Sequence, residues 1–111
     1  MLVKDIVNKL NLTVFSGKDG LNKEVNNAYV SDLLSDVMGN AEKDSIWITL
    51  QTHKNIMAIA SLKELSAVIL VKGLKPAEDT AQQSNTEGIP ILGTDKNTFE
   101  IAGELYNLLT K

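Results

Sequence analysis

The stretch Ala67-Val68-Ile69-Leu70-Val71 decides the fold, because it is an uninterrupted apolar run that follows Ser66 and ends at Lys72. Such a run is typical of a strand in a parallel sheet that is covered on both faces. Residues 76–87 follow, with a proline near the start and a glycine after the end, and they predict a helix. Ile89–Leu92 predicts the next strand. This order of elements favours right-handed crossovers and parallel pairing.

The same alternation continues on both sides of this unit. On the amino side, Ile46–Leu50 predicts a strand and residues 54–65 predict a helix. On the carboxyl side, residues 97–109 predict the last helix, and Asn97 and Glu100 have the spacing of a capping box. The predicted apolar side of this helix consists of Phe99, Ala102, Tyr106 and Leu109.

The first third of the chain predicts four shorter elements. They are a helix over 3–10, strands over 13–15 and 25–30, and a short amphipathic helix over 31–39 that Ser31 or Asp32 can cap. We therefore expect an α/β fold, in which a largely parallel central sheet is flanked by layers of helices. Residues 1–111 are expected to form a single domain.

Composition excludes several classes of function. The net charge is −3 and all 11 basic residues are lysines, so the bidentate arginine contacts of sequence-specific DNA binding are absent. Without cysteine, the chain has neither disulfides nor thiolate metal ligands. The first residues do not form a signal peptide, and the apolar runs are too short to span a membrane. We expect a cytoplasmic protein with no nucleic-acid or membrane partner.

A ligand site is expected at one edge of the sheet. In parallel sheets, ligands bind beyond the carboxyl ends of the strands, and helix N-termini at that edge favour anions. The segments that follow the predicted strands are 49–53, 71–73 and 92–94. The predicted ligand-binding residues are Gln51, Thr52, His53, Asn55, Gly73 and Thr94.

Several of these residues also have a structural interpretation. Thr52 can cap the helix that follows it, with Asn55 at the third position. His53 is the only histidine, and a single histidine without nearby carboxylates makes a poor metal site. Gly73 provides an unusual backbone angle or allows a ligand to approach closely. We predict no bound metal and no cofactor.

Asp32 and Asp36 form a second candidate cluster, because they lie four residues apart on the predicted short helix. They could hold a cation or act as acid and base, or they are one helix cap and one solvated carboxylate. Trp47 is either a stacking platform or a core residue. No nucleophile, base and orienting group can be assembled, and the chain contains neither GxxxxGK[ST] nor GxGxxG. We expect no enzymatic activity.

Four segments resemble one known family, the DRTGG domains. They are Tyr29–Met38, Ile48–Ile56, Val68–Gly73 and Ile89–Leu92, so the resemblance covers nearly the whole chain. It is strongest to the stand-alone DRTGG proteins of anaerobic bacteria, which are often encoded near iron-only hydrogenase genes and serine-kinase-like genes. The string Asp-Arg-Thr-Gly-Gly itself is absent, since the chain has no arginine.

The resemblance implies a fold and a role. DRTGG domains also occur in some phosphotransacetylases and in CBS-containing pyrophosphatases, and their fold is similar to the N-terminal domain of HPr kinase/phosphorylase. Kinase activity is not implied, because the phosphate loop of that kinase lies in a separate domain. The implied role is regulatory or ligand-sensing, and homodimerisation is implied by the same analogy.

Two functions remain open from the sequence. The first is a non-catalytic regulatory or protein-interaction module, a homodimer linked to an iron-only hydrogenase or redox system. The second is a sensor of a small ligand, a nucleotide or another anion, bound at the carboxyl ends of the strands.

Overall fold

A five-stranded sheet forms the centre of the computed structural model, which describes residues 1–111. The strands are β1 (Thr13–Ser16), β2 (Asn27–Val30), β3 (Ser45–Thr49), β4 (Ala67–Leu70) and β5 (Ile91–Gly93). Their order across the sheet is β1-β5-β4-β3-β2. The pairs β2–β3, β3–β4 and β4–β5 are parallel, and only β1 runs antiparallel, against β5. The predicted largely parallel α/β sheet is confirmed.

Five α-helices cover the two faces of this sheet. They are α1 (Val3–Leu10), α2 (Leu34–Asn40), α3 (Asn55–Leu62), α4 (Glu78–Glu87) and α5 (Thr98–Leu109), with a short 3₁₀ helix at Lys18–Gly20. Helices α1 and α5 pack on one face, and α2, α3 and α4 pack on the other. No helix has the length and apolar character needed to cross a membrane.

All residues of β3 and β4 are buried. In β3, Ile46 and Ile48 point into the core beneath α1 and α5, while Trp47 points into the core beneath α2 and α3. In β4, Ile69 joins the first of these cores and Leu70 joins the second. Because side chains alternate between the faces of a strand, an uninterrupted apolar run supplies both cores at once.

Helix α5 buries only part of the predicted side, because Ala102 and Leu109 are half-buried against the core while the two aromatic residues are not. Ile101 and Leu105 are fully buried, whereas Phe99 is 88% exposed and Tyr106 is 71% exposed. The helix carries two neighbouring apolar stripes, so periodicity alone does not choose between them. Ile101 and Leu105 fit into the core cluster that contains Val3 of α1. The aromatic stripe therefore stays outside.

Helix α4 begins two residues later than predicted. Ala77 is extended (φ −59°, ψ 155°) and precedes the first helical residue, Glu78. Its buried residues are Thr80 and Ser84. Ser84 accepts a hydrogen bond from the Ser16 hydroxyl (2.8 Å) and donates one to the Ile89 carbonyl (2.6 Å), so these hydroxyls join α4 to the sheet.

We predict that Gly17→Ala destabilises the domain by more than about 1 kcal/mol, because Gly17 has φ +71° and an added Cβ would lie 2.5 Å from the Ile89 carbonyl oxygen. The matched control is Gly39→Ala, since a Cβ there meets nothing within 4 Å inside α2. This control should leave stability unchanged or raise it by up to about 1 kcal/mol. Urea unfolding of both variants measures the difference, and equal effects would contradict the prediction.

Candidate functional site

The carboxyl ends of the four parallel strands meet at one edge of the sheet. The strands end at Val30, Thr49, Leu70 and Gly93. The six predicted ligand-binding residues lie in the segments that follow β3, β4 and β5, so all of them belong to this edge. The structure nevertheless divides them into two groups.

Gly73 and Thr94 lie together in a cleft at the β4–β5 half of the edge. The cleft has a volume of about 530 Å³. The Gly73 N–H donates to the Thr94 carbonyl (2.9 Å), and the Thr94 N–H donates to the Leu70 carbonyl (3.0 Å). Gly73 has φ +72°, which is the kind of unusual backbone angle that was predicted for it. The other lining residues are Lys9, Leu10, Asn11, Thr13, Phe15, Lys75, Gly93, Asp95, Lys96 and Glu104.

Three lysines, Lys9, Lys75 and Lys96, line this cleft, which we call the lysine cleft. Lys96 is neutralised, because its Nζ lies 2.6 Å and 2.8 Å from the two carboxylate oxygens of Glu104. Lys9 and Lys75 take part in no ion pair. Both side chains are exposed, so two ammonium groups are free to contact an anion.

The antiparallel pairing of β1 explains why sequence analysis missed half of this cleft. Thr13 pairs with Gly93 at the carboxyl end of β5. This pairing places the end of α1 and the turn that follows it at the carboxyl edge of the sheet. Lys9 and Asn11 therefore line the cleft. Asn11 is in the left-handed conformation (φ 54°), which asparagine tolerates better than most residues. The sequence contains no signal that β1 pairs with β5.

Gln51 lies at the β3 end of the edge, where it contacts Asp32. The Asp32 carboxylate accepts hydrogen bonds from the Thr49 hydroxyl (2.9 Å) and the Leu50 N–H (2.7 Å). The Gln51 side-chain amide donates to the Asp32 carbonyl (2.9 Å). These contacts tie the chain after β2 to the end of β3.

Thr52, His53 and Asn55 lead into α3. The Thr52 carbonyl accepts from the Ala77 N–H (3.1 Å) and the Thr80 hydroxyl (2.9 Å), which links this turn to the start of α4. Thr52 does not cap α3, because the helix begins at Asn55 and no side chain caps it. His53 is exposed and its side chain makes no hydrogen bond within the chain.

Among the four helices that begin along this edge, only α3 has no carboxylate in its first turn, since α2 has Asp36 there. The first turn of α4 contains Glu78 and Asp79, and α5 has the predicted capping box of Asn97 and Glu100. Carboxylates at these positions already satisfy the helix dipole. The first turn of α3 contains no acidic residue. The positive end of the α3 dipole beside His53 is therefore not balanced by a carboxylate, while the Ile56 and Met57 N–H groups already donate to the His53 and Lys54 carbonyls.

Asp32 and Asp36 do not form the predicted pair on one helix. Helix α2 begins at Leu34, so Asp32 precedes it and binds the end of β3 instead. The Asp36 carboxylate accepts from the Tyr29 hydroxyl (2.9 and 3.0 Å) and from Asn40 (3.1 Å). Trp47 is fully buried and its Nε1 donates to the Ser31 carbonyl (2.8 Å), so its core interpretation is confirmed.

The environment of Asp36 shifts two pKa values. Hydrogen bonds from Ser31, Tyr29 and Asn40 lower the pKa of Asp36. The hydrogen bond to Asp36, with a smaller contribution from burial, raises the pKa of Tyr29. The pair stabilises a charged carboxylate beside a neutral phenol, which is the arrangement of a structural contact rather than of an acid–base pair.

The chain matches the family model of the DRTGG domain over residues 5–108. It belongs to the DRTGG domain family. The resemblance carried by Tyr29–Met38 and Ile48–Ile56 is thereby confirmed, although the family's name-giving string is absent. No curated protein matches the chain.

Among solved structures, this DRTGG domain is similar to the crystal structure of the CBS and DRTGG domains of the regulatory region of Clostridium perfringens pyrophosphatase, complexed with the activator diadenosine tetraphosphate. The TM-score is 0.69 at 14% sequence identity, with 92% of this chain and 44% of that chain covered. Our chain thus spans less than half of that regulatory region, and the likeness shows the shared fold. In that pyrophosphatase, the DRTGG domain is part of a regulatory region.

No group of three or more His, Cys, Asp or Glu side chains is arranged to hold a metal ion. The buried hydroxyls of Ser16, Thr80 and Ser84 all have hydrogen-bond partners within the fold. The edge therefore offers exposed lysines, the Thr94 hydroxyl and the side chains of Asn11 and Asn55. These groups suit the binding of a small anion.

We predict that Tyr29→Phe raises the pKa of Asp36, because it removes a hydrogen bond to the charged carboxylate. A carboxylate with a lowered pKa stabilises the fold at pH values above its unfolded pKa, and this contribution is lost as the pH falls through the folded pKa. The stability difference between the wild type and Tyr29→Phe should therefore be present at neutral pH and shrink in acid. NMR titration of the Asp36 carboxyl carbon measures the shift, and an unchanged pKa would contradict it.

Proposed function

We propose that this DRTGG domain is a non-catalytic regulatory module that binds a nucleotide or another small anion at the carboxyl edge of its sheet. The observation that carries the proposal is the lysine cleft, where Lys9 and Lys75 have no carboxylate partner. Gly73 and Thr94 line the same cleft, where Thr94 offers its hydroxyl and the Gly73 N–H already donates to the Thr94 carbonyl. The volume of about 530 Å³ is within the range of small-molecule sites.

The class of ligand has independent support from the similar structure. The Clostridium perfringens regulatory region was crystallised with an activator that is a nucleotide, diadenosine tetraphosphate. A nucleotide presents phosphate groups, which lysine ammonium groups bind as point charges. The second proposed contact region is the turn of Gln51, Thr52, His53 and Asn55, where α3 begins without an acidic residue. The Thr52–Ala77 hydrogen bond connects this turn to the segment that follows Lys75.

A protein-interaction role is the second candidate, and exposed apolar side chains favour it. Phe99 and Tyr106 project from α5 into solvent, and exposed apolar patches typically mark contact surfaces. We propose that the chain is a single cytoplasmic domain that forms a homodimer and serves a regulatory system. By resemblance, that system is an iron-only hydrogenase or another redox system.

Ligand binding is tested by measuring the Tm of the domain with and without inorganic phosphate, ATP, ADP or diadenosine tetraphosphate. At about 100 times the dissociation constant, a ligand stabilises by roughly 2.7 kcal/mol. For a domain of this size, that corresponds to a rise of roughly 10 °C or more in Tm. The absence of a shift with every one of these compounds at millimolar concentration would contradict the sensor function.

We predict that Lys9→Gln combined with Lys75→Gln weakens binding at least tenfold, because it removes both unpaired ammonium groups from the cleft. The matched control is Lys4→Gln, an exposed lysine at the opposite end of α1 from Lys9. The control should leave affinity nearly unchanged, and both variants should keep the wild-type Tm without ligand. Isothermal titration calorimetry measures the affinities. If Lys54→Gln lowered the affinity and the double variant did not, the ligand would bind at the start of α3 and not in the lysine cleft.

A further inference from the structure

Phe15 is the only aromatic residue that lines the lysine cleft. Apart from Leu10 and Phe15, every lining residue is polar, charged or glycine. The Phe15 side chain is half-buried, because it packs against the core on the α3 and α4 face of the sheet and also borders the cleft. An aromatic surface and unpaired ammonium groups therefore belong to the same cavity.

A β-bulge directs the Phe15 side chain toward this cavity. The pairing of β1 with β5 shifts by one residue between Val14 and Ser16, which leaves Phe15 without a partner in β5. Consecutive residues of a regular strand point to opposite faces. Here Ser16 bonds Ser84 of α4, and Phe15 packs against the core of that same face. Bulges re-aim side chains in this way and are frequent beside functional sites.

Gly93 provides the space in which the Phe15 ring lies. A Cβ added at Gly93 would be 2.3 Å from Phe15 Cε2 and 2.7 Å from Phe15 Cζ. The ring thus occupies the volume that a side chain at position 93 would fill. Gly93 is the last residue of β5 and pairs with Thr13, so the ring is held at the carboxyl edge of the sheet.

A second cavity adjoins the lysine cleft at Phe15. It has a volume of about 420 Å³ and is lined by Phe15, Ser16, Lys18, Asp19 and Asn85. Phe15 is the only residue that lines both cavities. A planar group that lies against the Phe15 ring therefore has space on either side of it.

We infer that Phe15 is a stacking platform for the base of a nucleotide whose phosphate groups contact Lys9 and Lys75. Every nucleobase has a π-face, and stacking on an aromatic side chain strengthens binding by a factor of roughly ten. Inorganic phosphate has no such face and would gain nothing from Phe15. The ligand of the proposed function is thereby narrowed from any small anion to a nucleotide, and the assignment of Phe15 rests on that function.

ATP and inorganic tripolyphosphate test the role of Phe15, because both carry three linked phosphate groups and only ATP carries a base. Isothermal titration calorimetry of the full chain should give a Kd for ATP that is lower by a factor of about ten or more. Phe15→Leu should raise the Kd for ATP by about the same factor, because leucine keeps an apolar contact with the core and offers no ring. It should leave the Kd for tripolyphosphate nearly unchanged.

Two further variants separate stacking from a structural effect. Phe15→Tyr keeps the aromatic ring and should bind ATP nearly as tightly as the wild type. The matched control is Phe99→Leu, since Phe99 is 88% exposed on α5 and does not line the cleft. This control should leave both Kd values nearly unchanged.

Nuclear Overhauser effects locate the base directly. The chain contains only two phenylalanines, so Phe99→Leu also assigns the ring protons of Phe15. With ATP bound, the aromatic protons of adenine should show contacts to the Phe15 ring.

Three results would overturn the assignment while the proposed function stands. They are equal Kd values of the wild type for ATP and tripolyphosphate, an equal loss of both ligands in Phe15→Leu, and adenine protons that contact no Phe15 proton. If the wild type binds neither ATP nor tripolyphosphate, the proposed function fails and the role of Phe15 fails with it.

Discussion

The burial of β3 and β4 on both faces is the constraint on which the rest of this structure depends. Every side chain of these two strands is buried, so neither strand can be at an edge and neither face can be left to solvent. Neighbouring strands must satisfy their backbone groups, and β2 and β5 do so in parallel. Parallel neighbours require crossover connections, which place α3 and α4 on the sheet.

The position of the candidate site follows from this constraint. Parallel strands end at the same edge, so the segments that follow β3, β4 and β5 are brought together without being neighbours in sequence. Hydrogen bonds join the segments at this edge, among them Leu50 N–H to the Asp32 carboxylate and Gly73 N–H to the Thr94 carbonyl. No buried side-chain polar atom lacks a partner. The polar groups that remain available at this edge are therefore exposed ones, such as Lys9, Lys75 and His53.

The two surfaces that this DRTGG domain offers are at different ends of the strand order. The lysine cleft lies beside β1 and β5, and the groove between α5 and β2 lies at the opposite end of the strand order. This separation suits a regulatory module, in which one surface binds a ligand and another makes contact with protein.

The sequence by itself determined the fold class and most of the elements, because alternation of apolar runs with capped amphipathic segments depends on local spacing. Ala67–Leu70, the Asn97–Glu100 capping box and the left-handed Gly73 were all predictable in this way. Gly73 and Thr94 could be assigned to one edge because parallel strands end together.

Only the tertiary structure decided which side of α5 is buried, where Asp32 binds and which turn completes the cleft. Ile101 and Phe99 lie on two stripes of similar apolarity, and the shape of the core beneath α1 selects Ile101. Asp32 leaves the helix because the Thr49 hydroxyl and the Leu50 N–H bind its carboxylate. Lys9 reaches the cleft because β1 pairs with β5. Each outcome depends on contacts between residues far apart in the chain, which local periodicity does not contain.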